Sequence, residues 1–237
     1  MKILVDLHCH TVASTHAHST LLENIASAKK KGLEAIAMTN HCPPLEDSAH
    51  IYHFTNVSTL PKVIDGFRVF GGCEANILDL EGNLGVSDSL LQKLEIVIAS
   101  IHNPVYKDMG AKDNTSAYLN ALENPYVDII GHCGNPRCPF DIEKVLKRAK
   151  ELDKFIEINE NTFAIRPNNI SMCKEIAVCA KRLGVGVVVN SDAHIATNVG
   201  EVEKAMSILK EINFPEELIV NRSLEAFRKA ISPRKKI

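Results

Sequence analysis

With 237 residues, 45% of them hydrophobic and 24% charged, the chain has the makeup of a globular protein with one sizeable core, which sets aside disordered, collagenous and disulfide-scaffold classes. A formal charge of -2 and a sequence pI near 6.6 supply no global field for a polyanion, so nucleic acid is not expected as a partner. No apolar stretch reaches membrane-spanning length, the run before Asp6 is too short for a signal core, and the seven scattered Cys read as reduced thiols, which together predict a cytoplasmic protein away from membranes.

The first apolar run, 2–8, reads as a strand that delivers His8, with His10 two residues on. Positions i and i+2 of a strand share a face, so the two histidines point one way and Cys9 the other. His16 follows in a loop. A helix at 22–31 ends at Gly32, a C-cap residue, and a strand at 35–39 runs into Asn40 and His41. The stretch 42–61 lacks a helical period and is expected to be a loop over a site, with its His50 and His53 solvated or packed. Strand 68–73 leads to Glu74; Ser87 opens a helix to Leu94; strand 95–100 leads to His102. Asn114 is expected to cap a helix to Glu123, and strand 127–131 then delivers His132. Asp141 opens a helix over 141–152 with Ile142, Val145, Leu146 and Ala149 on its inner stripe. Strand 155–159 and a helix from Ile170 to Leu183, stopped by Gly184, precede the last strand, 186–190, which leads to Asp192 and His194. Helices at 201–212 and, capped by Ser223, up to Ile231 finish the chain.

Strands alternating with helices predict a parallel sheet covered by helices, here a single domain over 1–237. An open doubly wound sheet fits the same alternation. The chemistry separates the two: His8, His10, His16, His41, Glu74, His102, His132, Asp192 and His194 all follow strands, and only a barrel brings every strand exit to one mouth. A seven-stranded barrel is therefore expected. Imidazole with carboxylate suits Zn, Mn or Fe, and nine donors exceed one coordination sphere, so two or three ions are implied, with Glu74 the natural bridge. Cys9, Cys42, Cys73 and Cys133 adjoin these positions but are read as small buried hydrophobes facing away from them.

In order, Asp6-Leu7-His8-Cys9-His10-Thr11, His16, Thr39-Asn40-His41, Glu74, His102, His132 and Ser191-Asp192-Ala193-His194 resemble the motifs of the PHP (polymerase and histidinol phosphatase) family over essentially the whole chain. Val12-Ala13-Ser14-Thr15-His16-Ala17 and Gly131-His132-Cys133-Gly134-Asn135-Pro136 are most similar to its YcdX-type phosphatases. The resemblance implies a distorted TIM-like (β/α)7 barrel with three zinc ions. One ion would take His8, His10, Glu74 and Asp192; a second His16, His41 and His194; a third Glu74, His102 and His132. Two departures stand out. Asn40 occupies a position where many members carry Asp, removing a charge that would raise ligand basicity, and His18 offers a second histidine beside His16.

Clustered dications suit a phosphate ester, because they neutralise its oxygens and lower the pKa of water to about 7, giving a hydroxide nucleophile. The leading expectation is a phosphomonoesterase for a small phosphorylated metabolite, with His8, His10, Glu74, Asp192 and His194 forming the catalytic floor and Arg166 gripping the phosphate from the rim. Lys107 and Arg137 are weaker candidates for that grip. Phosphodiesterase or exonuclease activity on single strands and a non-catalytic metal-binding module are the alternatives; the substrate and the oligomeric state are not written in the sequence.

Overall fold

Seven parallel strands wall the centre of the computed structural model, which describes residues 2–165 and 167–235. They are β1 (Val5–Cys9), β2 (Ala35–Met38), β4 (Phe67–Asn76), β5 (Ile96–Ser100), β6 (Ile129–Ile130), β7 (Phe155–Asn159) and β8 (Val187–Asn190), paired in that order, while the short β3 (Val63–Ile64) lies antiparallel on β4. Helices α1 (Leu21–Lys30), α3 (Asp88–Leu91), α4 (Ala111–Glu123), α5 (Ile142–Glu151), α7 (Ile170–Leu183), α8 (Glu203–Glu211) and α9 (Leu224–Ile231) accompany the wall, with short α2 (Ile51–Asn56) and α6 (Thr162–Ile165) in the loops at its mouth. This is the distorted (β/α)7 barrel expected from the alternation. Among the described residues no helix is long and apolar enough to cross a membrane.

Alternation decides which side chains fill the barrel. Val5, Leu7, Ala35, Ala37, Phe70, Ile96, Ile98, Ile129, Phe155 and Val188 form the inner core, and Phe227 and Ile231 of α9 close its floor. The Phe227 ring meets Phe70 edge-on at 5.7 Å and Phe155 at 6.4 Å. One irregularity serves the site directly. β1 pairs with β2 at Val5–Ala35, Asp6–Ile36 and Cys9–Met38, so Leu7 and His8 together oppose Ala37 as a bulge. The extra residue lets Leu7 join the inner core while His8 and His10 face the mouth, and Cys9 packs outward with Ile25 and Ala28 of α1.

Side chains close the ring where a backbone ladder does not. Between β8 and β1 the backbone contributes a bridge at Cys9 and Ala193. Below it, Asn190 Oδ1 accepts from the Leu7 amide at 2.9 Å, and Asn221 spans the gap, its Nδ2 donating to the carbonyls of Val5 and Val189 and its Oδ1 accepting from the Val189 amide.

Several boundaries differ from the pattern-based expectations, each for a local reason. Asn114 lies inside α4, whose N-cap is Gly110, because its buried side chain instead clasps Tyr106 Oη, Asp108 and the Pro139 carbonyl. The helix begun by Ser87 stops after Leu91, and the strand expected over 127–131 pairs only at Ile129–Ile130. The 42–61 stretch does lie over the mouth but holds α2 and a 3-10 turn, Val57–Thr59, pinned by the buried Phe54 and Val57; six helical residues are too few to print a period. β3 also went unforeseen, although Asp65-Gly66, both at positive φ, is a two-residue hairpin turn.

Candidate metal centre

All nine expected ligands converge on the mouth. Glu74, fully buried near the end of β4, is their hub. Its Oε1 lies 2.9 Å from His132 Nε2 and 3.4 Å from His102 Nε2; its Oε2 lies 2.8 Å from His41 Nδ1, 3.4 Å from His8 Nε2 and 3.6 Å from His10 Nε2. Asp192 Oδ1 approaches the same two rings, 3.5 Å from His8 Nε2 and 3.1 Å from His10 Nε2. His16 and His194 complete the far side, their rings 4.4 Å apart, with His194 stacked 4.3 Å from His10 and His16 at 5.2 Å from His41.

Two observations test whether these groups fit metal ions. A tetrahedral ion with bonds of about 2.0–2.1 Å holds its ligand atoms about 3.3–3.4 Å apart. The four His–carboxylate separations among His8, His10, Glu74 and Asp192 run from 3.1 to 3.6 Å, around that spacing, and three of them exceed an ordinary hydrogen bond. Moreover, His8 Nε2, both nitrogens of His10, His41 Nδ1, Glu74 Oε2, Asp192 Oδ1 and His194 Nε2 are buried without a well-directed hydrogen bond among the described residues, although His41 Nδ1 stands 2.8 Å from Glu74 Oε2 and His10 Nε2 3.1 Å from Asp192 Oδ1. So many orphaned donors in one place would cost several kcal/mol unless cations satisfied them, at about 1–3 kcal/mol for each group. The residues fit.

The rings are held in the tautomer that metal binding needs. His8 Nδ1 bonds Glu157 Oε1 at 2.8 Å, His102 Nδ1 bonds Asn76 Oδ1 at 2.8 Å, and His194 Nδ1 bonds the Asp192 carbonyl at 2.9 Å. Each partner accepts, so each ring keeps a proton on Nδ1 and turns Nε2 inward, where its lone pair is free for a metal once any second proton has left. Backbone strain marks the same places: His132 sits at φ 22° and Asp192 at φ 53°. Left-handed backbone at non-glycine residues costs on the order of 1–3 kcal/mol and persists where surroundings enforce it. Glu157 Oε2 accepts from the His132 amide, and Asp6 Oδ1 from the Ser191 amide beside Asp192.

Charge balance agrees. Burial alone would raise the carboxyls of Glu74 and Asp192, but the histidines around them, His8 foremost, hold both well below the usual range. Burial would likewise depress His8, yet Glu157, Asp192 and Glu74 keep it well above an ordinary histidine, whereas burial and the neighbouring His41 push His10 well below.

Four contributors escaped the sequence reading. Glu157, Asn76 and Asp6 act as above, and Asp47 in the mouth loop pairs with His16 Nδ1 and groups with His16 and His41. A carboxylate between two isoleucines of β7 was the available signal for Glu157. Asn40 does not touch a presumed ligand ring. Its Oδ1 accepts from the Thr11 amide and from the hydroxyls of Thr11 and Ser14, its Nδ2 lies 3.1 Å from His53 Nε2, and Ser14 Oγ in turn holds the His41 amide. Charge at position 40 therefore bears on the loop, not on His41 basicity. His18 is exposed, its amide donating to the His194 carbonyl, and His50 caps α2. All seven cysteines are free and buried, and among the described residues none joins a group of converging donors. Lys107 and Arg137 are exposed; Arg166 lies outside the described residues.

Above the donors opens a cavity of about 510 Å³, lined by His16, His41, His102, His132 and Asp192 at its base and by Leu45, Asp47 and Val105 among its flanks. Residues 6–165 match the model of the PHP domain family. The chain belongs to the PHP family. A probable phosphatase of Caldanaerobacter subterraneus subsp. tengcongensis is 44% identical over 238 residues, covering 100% of this chain and 94% of its own. One from Acetivibrio thermocellus is 42% identical over 235 residues, covering 99% and 98%. In fold, the chain is similar to a histidinol phosphate phosphatase of Lactococcus lactis subsp. lactis complexed with zinc, L-histidinol and phosphate: TM-score 0.62 at 18% identity, covering 91% of this chain and 95% of that one. With PHP membership and the clustered histidines and carboxylates goes the class of chemistry, that of a metal-dependent phosphatase, a hydrolase of phosphate esters.

Proposed function

We propose that this PHP phosphatase is a phosphomonoesterase for a small phosphorylated metabolite, working at a centre of three ions, zinc foremost and Mn or Fe as alternatives. The observation that carries the reading is Glu74, a buried carboxylate with Oε1 turned to His102 and His132 and Oε2 turned to His8, His10 and His41. In this reading His8, His10, Glu74 and Asp192 hold one ion, His16, His41 and His194 a second, and Glu74, His102 and His132 a third. When bound, such ions supply charge neutralisation to a phosphoryl group and acidity to water.

The chain's own work is positional. Glu157 and Asn76 keep the protons of His8 and His102 on Nδ1, so the opposite nitrogens stay free. His16, with its side chain 47% exposed, stands at the open side of the cavity, where a substrate arrives. Leu45 and Val105 supply apolar flanks that displace water from the phosphate. None of the described residues lining this cavity is Lys or Arg, which favours a small monoester over a nucleic acid strand, whose backbone requires a basic track. The seven free thiols support a reducing compartment, the cytoplasm.

The test is metal content per chain on protein purified without chelator, followed by hydrolysis of p-nitrophenyl phosphate and of its bis-ester. About three ions with monoester turnover, and little with the diester, is the expected result. Less than about one ion, with no turnover after reconstitution with Zn or Mn, overturns it.

A further inference from the structure

Beside the metal cavity lies a second one, of about 390 Å³, which shares Ile165 as a wall. It is built from the strand exits that carry His102 and His132 and from the loop after β7: Asn103, Asn135, Arg137, Ile165, Asn168 and Asn169 line it. The metal centre makes no use of these residues.

Arg137 is the one charged side chain among the described lining residues. Asn169 is 1% exposed, and its Nδ2 has no acceptor among the described residues. It stands at the start of α7 with helical backbone (φ -84°, ψ -14°), so its side chain is not drawn into a capping bond. A buried amide donor left unsatisfied costs about 1–3 kcal/mol, which a ligand acceptor would recover. The fourteen residues of α7 add the partial positive charge of a helix N-terminus. Arg137 is exposed and makes no ion pair among the described residues, and no described lining residue is acidic.

We infer that this second cavity is the leaving-group subsite of the phosphatase, and that it selects phosphate esters whose leaving group carries an anionic oxygen group, a carboxylate or a second phosphate. Asn169 Nδ2 and the Arg137 guanidinium are its donors. The inference rests on the monoesterase reading: with the ester phosphate over the first cavity, the remainder of the molecule passes Ile165 and places its anion against Arg137 and Asn169. At this volume the cavity suits a fragment of a metabolite, not a polymer.

Two matched pairs test it. 2-Phosphoglycerate and glycerol 2-phosphate differ by a carboxylate in place of a hydroxymethyl; fructose 1,6-bisphosphate and fructose 6-phosphate differ by a second phosphate. For the metal-loaded wild type, kcat/KM should favour the anionic member of at least one pair by about tenfold or more, and the pair concerned identifies the anion. Arg137→Gln, a surface change that leaves folding alone, should bring that ratio towards one through KM; Asn169→Asp, an isosteric change that removes the donor and adds a negative charge, should take it below one. Equal rates within both pairs, or a ratio untouched by Arg137→Gln, overturns the subsite while leaving the monoesterase standing. Absence of turnover on both pairs and on p-nitrophenyl phosphate, with the ions bound, refutes the monoesterase reading and the subsite with it.

Discussion

Glu157→Gln replaces one atom in a residue that touches no substrate, and the structure sets its effect. Glu157 Oε1 accepts from His8 Nδ1 at 2.8 Å and Asn190 Nδ2 at 2.9 Å; Oε2 accepts from the His132 amide at 2.8 Å and Asn159 Nδ2 at 3.1 Å. All four partners donate, so a glutamine must aim its NH2 at two of them. If it faces His132 and Asn159, a strained backbone amide loses its acceptor. If it faces His8, that ring must shift its proton to Nε2 and surrender the lone pair turned towards Glu74 and Asp192. Loss of such a supporting carboxylate typically weakens metal binding by 10- to 100-fold, about 1.4–2.8 kcal/mol. Competition with a chromophoric chelator measures the affinity, and melting of the metal-free protein separates any general loss of stability. Affinity and turnover within about twofold of wild type would refute the argument that Glu157 sets the His8 tautomer.

Glu74→Gln should lower turnover by several orders of magnitude and remove the ions near His8 and near His132 together, read by elemental analysis; retention of the full complement with full activity would show that no single carboxylate joins them. Phe227→Ala empties the barrel floor and should cost about 3–5 kcal/mol, seen as a lower urea midpoint at unchanged slope in the metal-free protein. Metal affinity should rise with pH. His8 keeps its proton above the ordinary histidine range because Glu157, Asp192 and Glu74 outweigh its burial, so a metal must displace that proton, and titrations from about pH 6 to about pH 8 should show tighter binding at each step. The metal-free fold weakens in the same direction, towards low pH. Glu74 and Asp192 are depressed in the folded chain, so the stability they lend is present above the ordinary carboxylate range and is lost as pH falls through their folded values, which a series of thermal melts would follow.

The nine convergent side chains were legible because strand ends are local events: an apolar run followed by His, Glu or Asp states both where the strand stops and what it delivers. Helices with full apolar stripes, such as α5 and α7, were equally plain. What the pattern could not carry is contact at long separation. Glu157 meets His8 across 149 residues and Asn190 meets Leu7 across 183, and neither pairing leaves a trace in spacing. Asn114 misled for the opposite reason: a side chain that caps helices in isolation was taken up by Tyr106 and Pro139 in the folded protein. The bulge at Leu7 and His8 is a third case, since strict alternation would send one of the two away from the barrel interior.

The seam between β1 and β8 also has a meaning in time. His8 lies in the first strand with His10 just after it, and Asp192 follows the last, so the group of four donors lies across the joint where the ring is held by Asn190 and Asn221 instead of a ladder. A chain emerging during synthesis has His8, His10 and Glu74 long before it has Asp192, and cannot assemble that group until its final strand has been made and docked. Metal uptake would then be among the last events of maturation, and a bound ion would rivet the two ends of the barrel together. Amide exchange in β1 and β8 should slow more on metal loading than exchange in β5, which already has a hydrogen-bonded neighbour on either side.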